Sequence, residues 1–128
     1  MSNQLNAINW FELPTANFDR AVAFYETVLD LSLRREIFAG TPNAVFPYEG
    51  EGVGGALIDA PHAKPSQDGA IVYLNLGTLE RLNAALTRVT ANGGQVAMPA
   101  TSLGPIGTIA LIIDSEGNRV GIHAPAGT

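Results

Sequence analysis

The chain has 128 residues, the length of one domain, and its 46% hydrophobic and 15% charged residues are ordinary for a globular fold. It has no cysteine, which excludes disulfides, thiolate metal sites and a cysteine nucleophile. A formal net charge of −5, with no basic patch, argues against nucleic acid as a partner. No apolar run is long enough to cross a bilayer and no leader pattern opens the chain, so we expect a cytoplasmic protein without membrane contact.

The first element is a strand over residues 8–13, where apolar and polar side chains alternate. The alternation puts Trp10 and Glu12 on one face and Phe11 and Leu13 on the other. Because a half-buried strand presents one face to the core, the two pairs should have different surroundings.

A helix follows, and Asn17 is a favourable N-cap for it, with Asp19 in the first turn, where the helix dipole favours a negative charge. Apolar side chains then recur at helical spacing. Three strands are predicted after the helix, separated by turns rich in glycine and proline, over residues 33–38, 43–48 and 53–59.

Residues 60–69 contain two prolines and no periodicity, so we predict a linker there. Beyond it we predict a helix that is capped by Thr78 and ends near Gly93-Gly94. Residues 99–107, rich in Gly, Pro, Ser and Thr, predict a mobile loop. The strands predicted for this half cover residues 71–76, 95–98, 108–113 and 119–124. Asp114 and Asn118 should shape the turn before the last strand.

The two halves repeat one unit. Aligning Asp19-Arg20 with Glu80-Arg81 places Phe11-Glu12-Leu13 on Val72-Tyr73-Leu74, so each helix follows a strand. A short strand–helix–strands unit cannot bury both faces of its sheet alone. Two copies therefore predict a shared core and a concave sheet with room for a ligand.

The order β-α-β-β-β, found twice, resembles the vicinal oxygen chelate superfamily, and so do the segments WFELPT, DRAVAFYETVL, VGGALI, KPSQDGAIVYLNL and DSEGNRVGIHAP. That superfamily includes glyoxalase I, extradiol dioxygenases, fosfomycin-resistance enzymes and bleomycin-resistance proteins, and this chain is most similar to its small glyoxalase-related bacterial members. The resemblance implies an α+β fold: one domain over residues 1–128, in which two βαβββ modules, residues 6–60 and 70–125, form a cupped mixed sheet. It also implies a homodimer.

The resemblance further implies metal ligands on the first and last strand of each half, usually His, Gln or Glu. The corresponding positions here are Trp10, Ile71, Gly121 and, in a register left open, residues 54–56. None of these side chains can bind a divalent metal, and a zinc site needs at least three side-chain donors. We therefore predict no metal cofactor, with a divalent metal as the disfavoured alternative.

Polar side chains lie one step away from these positions. Glu12 shares a face with Trp10, and His123 shares a face with Gly121. In the topology that the resemblance implies, the first strand of one half neighbours the last strand of the other, so Glu12 and His123 could come within reach. They are candidate catalytic residues as an acid–base pair. The candidate ligand-binding residues are Trp10, Tyr73, Asn75 and Phe46. The alternative is a buried polar bridge that only fixes strand register.

Three functions follow as hypotheses. The first is a glyoxalase-like small-molecule-binding protein or metal-independent enzyme that uses Glu12, Tyr73, Asn75 and His123. The second is an antibiotic-sequestering protein like the bleomycin-resistance members. The third is a metal-dependent lyase, isomerase or dioxygenase with a relocated site, which the missing ligands disfavour.

Overall fold

The computed structural model describes residues 6–128, and the first five residues lie outside it. The first half contains β1 (Trp10–Pro14), α1 (Phe18–Leu29), β2 (Arg34–Phe38), β3 (Thr41–Val45) and β4 (Gly54–Ile58). The second half contains β5 (Tyr73–Asn75), α2 (Leu79–Leu86), β6 (Gln95–Ser102), β7 (Thr108–Ile113) and β8 (Arg119–Ala124). Each half is thus a strand, a helix and three strands, as the repeat predicts.

The strands form two four-stranded mixed sheets, in the orders β1-β4-β3-β2 and β5-β8-β7-β6. β1 pairs in parallel with β4, and β5 in parallel with β8, while the other pairs are antiparallel. The fold class is confirmed as α+β with two βαβββ units. The expected pairing of a first strand with the last strand of the other half is wrong: after each helix the chain enters the far edge of its own sheet and returns through two antiparallel pairs, so that β4 lies beside β1 and β8 beside β5.

One core joins the halves. The helices lie on one side of their sheets, and side chains from both sheets and both helices contribute to a single buried cluster. α1 begins at its predicted cap, where the Asn17 side chain accepts a hydrogen bond from the Arg20 backbone N–H. Phe24, Tyr25 and Val28 of this helix are at most 2% exposed. The other face of each sheet lies outside this core.

The predicted boundaries differ from the structure at several places. β3 covers Thr41–Val45 instead of residues 43–48, and β5 covers Tyr73–Asn75 instead of residues 71–76. α2 ends at Leu86 and a short 3₁₀ turn, Thr90–Asn92, precedes Gly93, so the predicted single helix is interrupted. β6 runs to Ser102 through part of the predicted loop, although Pro99 cannot donate to a ladder. β6 is an edge strand and its register shifts between Met98 and Thr101, which is where a proline is tolerated.

The turn between β7 and β8 holds the halves together. The Tyr25 hydroxyl of α1 donates a 2.6 Å hydrogen bond to the buried Asp114 carboxylate. Glu116 accepts hydrogen bonds from the backbone N–H groups of Ala16 and Asn17 at 2.9 and 2.7 Å, and it forms an ion pair with Arg20 at 2.8 Å. An acidic side chain of the second half therefore binds the N-terminus of the first helix, where the helix dipole favours it.

We expect Tyr25→Phe to lower the free energy of unfolding by about 1–3 kcal/mol, because the buried Asp114 carboxylate loses a donor. Urea denaturation followed by far-UV circular dichroism measures this. Tyr48→Phe is the matched control, since Tyr48 is 47% exposed, and its midpoint should stay unchanged. Equal midpoints for wild type and Tyr25→Phe would contradict the role given to this bond.

Glu116 should make the fold sensitive to acid. Although burial opposes it, hydrogen bonds from Arg20, Asn17, Ser115 and Ala16 lower the pKa of the Glu116 carboxyl below its usual value. A depressed carboxyl pKa contributes stability that is present above the unfolded-state pKa and is lost as pH falls through the folded-state pKa.

The free energy of unfolding of Glu116→Gln should therefore fall less steeply than that of wild type as pH decreases from about 5 to 3. Thermal melts across this range measure the difference, with the exposed Glu51→Gln as control. Parallel pH profiles for wild type and Glu116→Gln would argue against this linkage.

Candidate functional site

The two sheet sides that point away from the core are the candidate site. We call the side of the first sheet that carries Trp10 and Glu12 the first face, and strand register adds Val45, Gly54 and Ala56 to it. A small cluster of Val45, Ala56, Ile58 and Ala60 covers its middle, with Trp10 and Ala63 packed against it. The start of the linker thus shields part of the first face.

The second sheet has a corresponding surface, the second face, which carries Tyr73, Asn75, Gly121 and His123. Tyr73 lies opposite Gly121, and Asn75 lies opposite His123, in the parallel pair of β5 and β8. Outward and buried side chains alternate along these two strands: Leu74 lies between Tyr73 and Asn75, its partner Ile122 lies in β8, and both are buried in the common core.

An aromatic pair occupies the end of the first face. The rings of Trp10 and Tyr48 meet edge to face with centroids 6.3 Å apart. Gly54 lies beneath them: a Cβ atom built there would lie 2.6 Å from Cδ1 and Cε1 of Tyr48 and 3.0 Å from Trp10. Any side chain at residue 54 would therefore displace a ring.

A cavity of about 440 Å³ opens beside this pair. That volume lies within the range of small-molecule sites. Its lining combines aromatic, aliphatic and charged residues: Ser32, Arg34, Val45, Phe46, Pro47, Tyr48 and Glu49. Sequence reasoning named Phe46 of this lining as ligand-binding, within a strand predicted over residues 43–48, whereas β3 ends at Val45 and Tyr48 lies in the loop that follows it.

The second face repeats the aromatic-over-glycine arrangement. A Cβ atom at Gly121 would lie 2.2, 2.4 and 2.7 Å from Cδ2, Cε2 and Cγ of Tyr73. Tyr73 remains 45% exposed. The glycine lets the Tyr73 ring lie against β8, in the space that a side chain at residue 121 would fill.

Two polar side chains of the second face already form hydrogen bonds within the chain. Asn75 Oδ1 accepts a hydrogen bond from the Gly77 backbone N–H, which shapes the turn before α2. His123 Nε2 lies 2.7 Å from the Ile106 carbonyl oxygen. Because a carbonyl can only accept, Nε2 carries the hydrogen, and only Nδ1 is left to accept a proton.

Glu12 and His123 are not brought together within one chain. They belong to different sheets, and no ion pair links them anywhere in residues 6–128. Glu12 is exposed. Phe46 borders the cavity beside Tyr48, while its ring packs in the common core between Phe11 and Tyr25, with centroids 5.5 Å from each.

One polar group on the first face was missed by sequence reasoning. Asn43 is 3% exposed and lies opposite Ile58 in the pairing of β3 and β4. Its Nδ2 donates to the Thr41 carbonyl, but its Oδ1 has no partner among the residues that the structure describes. A buried acceptor without a partner costs free energy, so this position is not optimised for stability. The only sequence signal was an asparagine inside a predicted strand.

The positions that the resemblance assigns to metal ligands carry no donor atoms. Trp10 and Ile71 are apolar, residues 54–56 are Gly-Gly-Ala, and Gly121 lies beneath the Tyr73 ring. Within residues 6–128 no three His, Asp or Glu side chains lie close enough to hold an ion together. The residues present do not fit the metal site of the superfamily.

The sequence and the fold identify the class of protein. The Glyoxalase/Bleomycin resistance protein/Dioxygenase superfamily matches residues 7–122, so the chain belongs to this superfamily. None of the curated proteins compared with the chain matches it. No helix in the described part of the chain is long and apolar enough to cross a membrane.

Solved structures share the fold. A glyoxalase/bleomycin resistance protein from Albidiferax ferrireducens is 13% identical, with 93% of this chain and 98% of that chain covered and a TM-score of 0.71. TnmS3, an antibiotic binding protein from a Streptomyces species, is 20% identical, with 98% and 100% covered and a TM-score of 0.67. FosX, a fosfomycin resistance protein from Listeria monocytogenes, is 11% identical, with 97% and 94% covered and a TM-score of 0.69. At these identities the likeness concerns the fold.

We expect His123→Ala to loosen residues 103–107, because the bond to the Ile106 carbonyl ties this segment to β8. Amide hydrogen exchange in that segment should become several-fold faster, while the free energy of unfolding falls by no more than about 1.5 kcal/mol. His62→Ala, in the exposed part of the linker, is the control. Unchanged exchange in residues 103–107 would refute the tether.

Proposed function

We propose that this protein binds a small molecule on its two outward sheet faces and does so without a metal ion. The observation that carries the proposal is that the positions corresponding to metal ligands lack donor side chains, while aromatic rings lie over Gly54 and Gly121 on the same two faces. A cavity of about 440 Å³ beside Tyr48 supports it. The ligand-contacting residues would be Trp10, Tyr48, Tyr73 and Asn75.

The functional unit in this proposal is a homodimer. On one chain both faces lie outside the common core, and neither contacts the other sheet through a hydrogen-bonded strand pair. A second copy that set its second face against the first face would close a cup around the ligand and cover the exposed rings of Tyr48 and Tyr73. The superfamily resemblance, which implies dimers, supports this arrangement.

Binding is favoured over acid–base catalysis. A general acid and base must both lie within reach of one substrate, and Glu12 and His123 of the same chain lie in separate sheets, so only two different copies could supply the pair. His123 also has Nε2 committed to the Ile106 carbonyl. In a dimer the two residues could face one ligand from different copies, where Glu12 and His123 would bind polar groups.

Antibiotic sequestration is the second candidate. TnmS3, which shares the fold, is an antibiotic binding protein, and FosX is a fosfomycin resistance protein. Sequestration needs shape and aromatic contact rather than reactive groups, which matches the residues on the two faces. A protein of this kind would protect by holding the compound in stoichiometric amount.

Native mass spectrometry of protein purified without chelator tests the proposal. We expect a dimer mass, no stoichiometric metal, and a small molecule that leaves on mild activation. A stoichiometric metal per subunit would overturn the metal-free proposal and favour a lyase or dioxygenase with a relocated site.

Paired substitutions then separate binding from catalysis. Glu12→Gln and His123→Ala should weaken binding of the co-purified molecule together, with no product formed by wild type. If turnover is found in wild type and is abolished in both variants while binding persists, the protein is an enzyme and the binding-only proposal is wrong. Asp59→Asn, at the exposed end of β4, is the charge-matched control.

A further inference from the structure

We infer that the ligand contains a planar aromatic ring system, which stacks on the glycine-backed rings of Tyr73 and Tyr48. This inference rests on the proposed function and adds the chemical class of the ligand. Its basis is the geometry of the two rings, their exposure and the balance of charge around them.

The Tyr73 ring lies flat against β8. Three of its ring atoms, Cδ2, Cε2 and Cγ, are at similar distances of 2.2–2.7 Å from the point where a Cβ of Gly121 would be. An edge-on ring would bring one or two atoms much closer than the third. One ring face therefore covers the backbone of β8, and the opposite face is available to a ligand.

Tyr48 lies over a glycine in a different way: two of its ring atoms, rather than three, are close to the Cβ position, and the next nearest atom belongs to Trp10. Cδ1 and Cε1 of its ring lie equally close, at 2.6 Å, to the Cβ position of Gly54, and the Trp10 ring holds it from the side at a centroid distance of 6.3 Å. A ring supported in this way loses little side-chain entropy when a ligand stacks on it. Phe11 lies over Gly55 in the same way but packs against the common core, so support from beneath marks a binding surface only where the ring is also exposed.

Exposure separates these tyrosines from the third one. Tyr25 is fully buried in the core, whereas Tyr48 is 47% exposed and Tyr73 is 45% exposed. Tyr48 and Tyr73 also make no side-chain hydrogen bond within residues 6–128, so neither is placed to satisfy an internal polar group. The exposed part of each ring makes no contact within one chain and is available to a ligand.

The charges beside the cavity do not favour an ion of one sign. Arg34 and Glu49 both line it, and Arg34 Nε forms an ion pair with Glu36 at 2.8 Å. Stacking on a neutral ring system is then the main contribution available. Aromatic pairs contribute beyond the burial of area.

The experiment compares 2-naphthol with decahydro-2-naphthol, its saturated analogue, by isothermal titration calorimetry on the purified protein. We expect 2-naphthol to bind at least 3-fold more tightly, the order of effect expected for one aromatic contact. The saturated analogue is the more apolar of the two, so a purely hydrophobic site would show the reverse order.

Substitutions locate the effect. Tyr73→Leu and Tyr48→Leu should each reduce the preference for 2-naphthol, and Gly121→Ala should do so by pushing the Tyr73 ring off the strand while the phenol is kept. Phe38→Leu is the matched control, because Phe38 is 45% exposed, belongs to β2 and has no glycine beneath it. Equal loss in Phe38→Leu would overturn the inference.

Failure of the inference and of the proposed function can be told apart. If the decahydro analogue binds as tightly as 2-naphthol, or the co-purified molecule has no aromatic ring, stacking is wrong but small-molecule binding stands. If neither probe binds and no molecule co-purifies with the dimer, both fail.

Discussion

The buried carboxylate of Asp114 is the constraint on which the arrangement of the two halves depends. It accepts hydrogen bonds from the Tyr25 hydroxyl, the backbone N–H groups of Glu116 and Asn118, and the Asn118 side chain. Asn118 Nδ2 also donates to the Pro14 carbonyl, at the end of β1. One turn in the second half therefore fixes both the first strand and the first helix of the other half. Burial, and then the neighbouring carboxylate, raise the pKa of Tyr25 well above its usual range, so the tyrosine stays a donor.

These contacts between the two halves determine which sides of the sheets stay outward. Because the polar turn and the shared apolar core join the helix sides of the two sheets, their other sides are left outward. The linker reinforces the arrangement: Ser66 N–H donates to Asn118 Oδ1, and its carbonyl accepts from the Arg119 N–H. Because the halves are joined on one side, the residue types on the opposite side are not dictated by the fold, and the proposed binding surfaces lie there.

Much of the fold follows from sequence periodicity, and much of the site does not. The alternation of residues 10–13 and the helical spacing after Asn17 are local signals, so β1 and α1 could be predicted, and β7 and β8 have the predicted bounds. The pairing of β1 with β4 is a non-local choice that periodicity leaves open. Asp114 and Asn118 could be predicted to shape a turn, but contacts of that turn with Tyr25 and Pro14 depend on tertiary packing. Tertiary packing also decides the direction of Phe46, which was expected to contact the ligand and has its ring packed in the core.

Glycine explains how one scaffold can exchange one chemistry for another. On the second face Gly121 opens a flat area of backbone on which the Tyr73 ring lies, and on the first face Gly54 leaves room for the Tyr48 ring. A metal site needs several donors that converge on one point. A stacking surface needs only one supported ring on each side of the ligand. In the proposed function, glycine at residue 121 therefore has two effects: it leaves a position that the resemblance assigns to a metal ligand without a donor, and it provides the support for a ring.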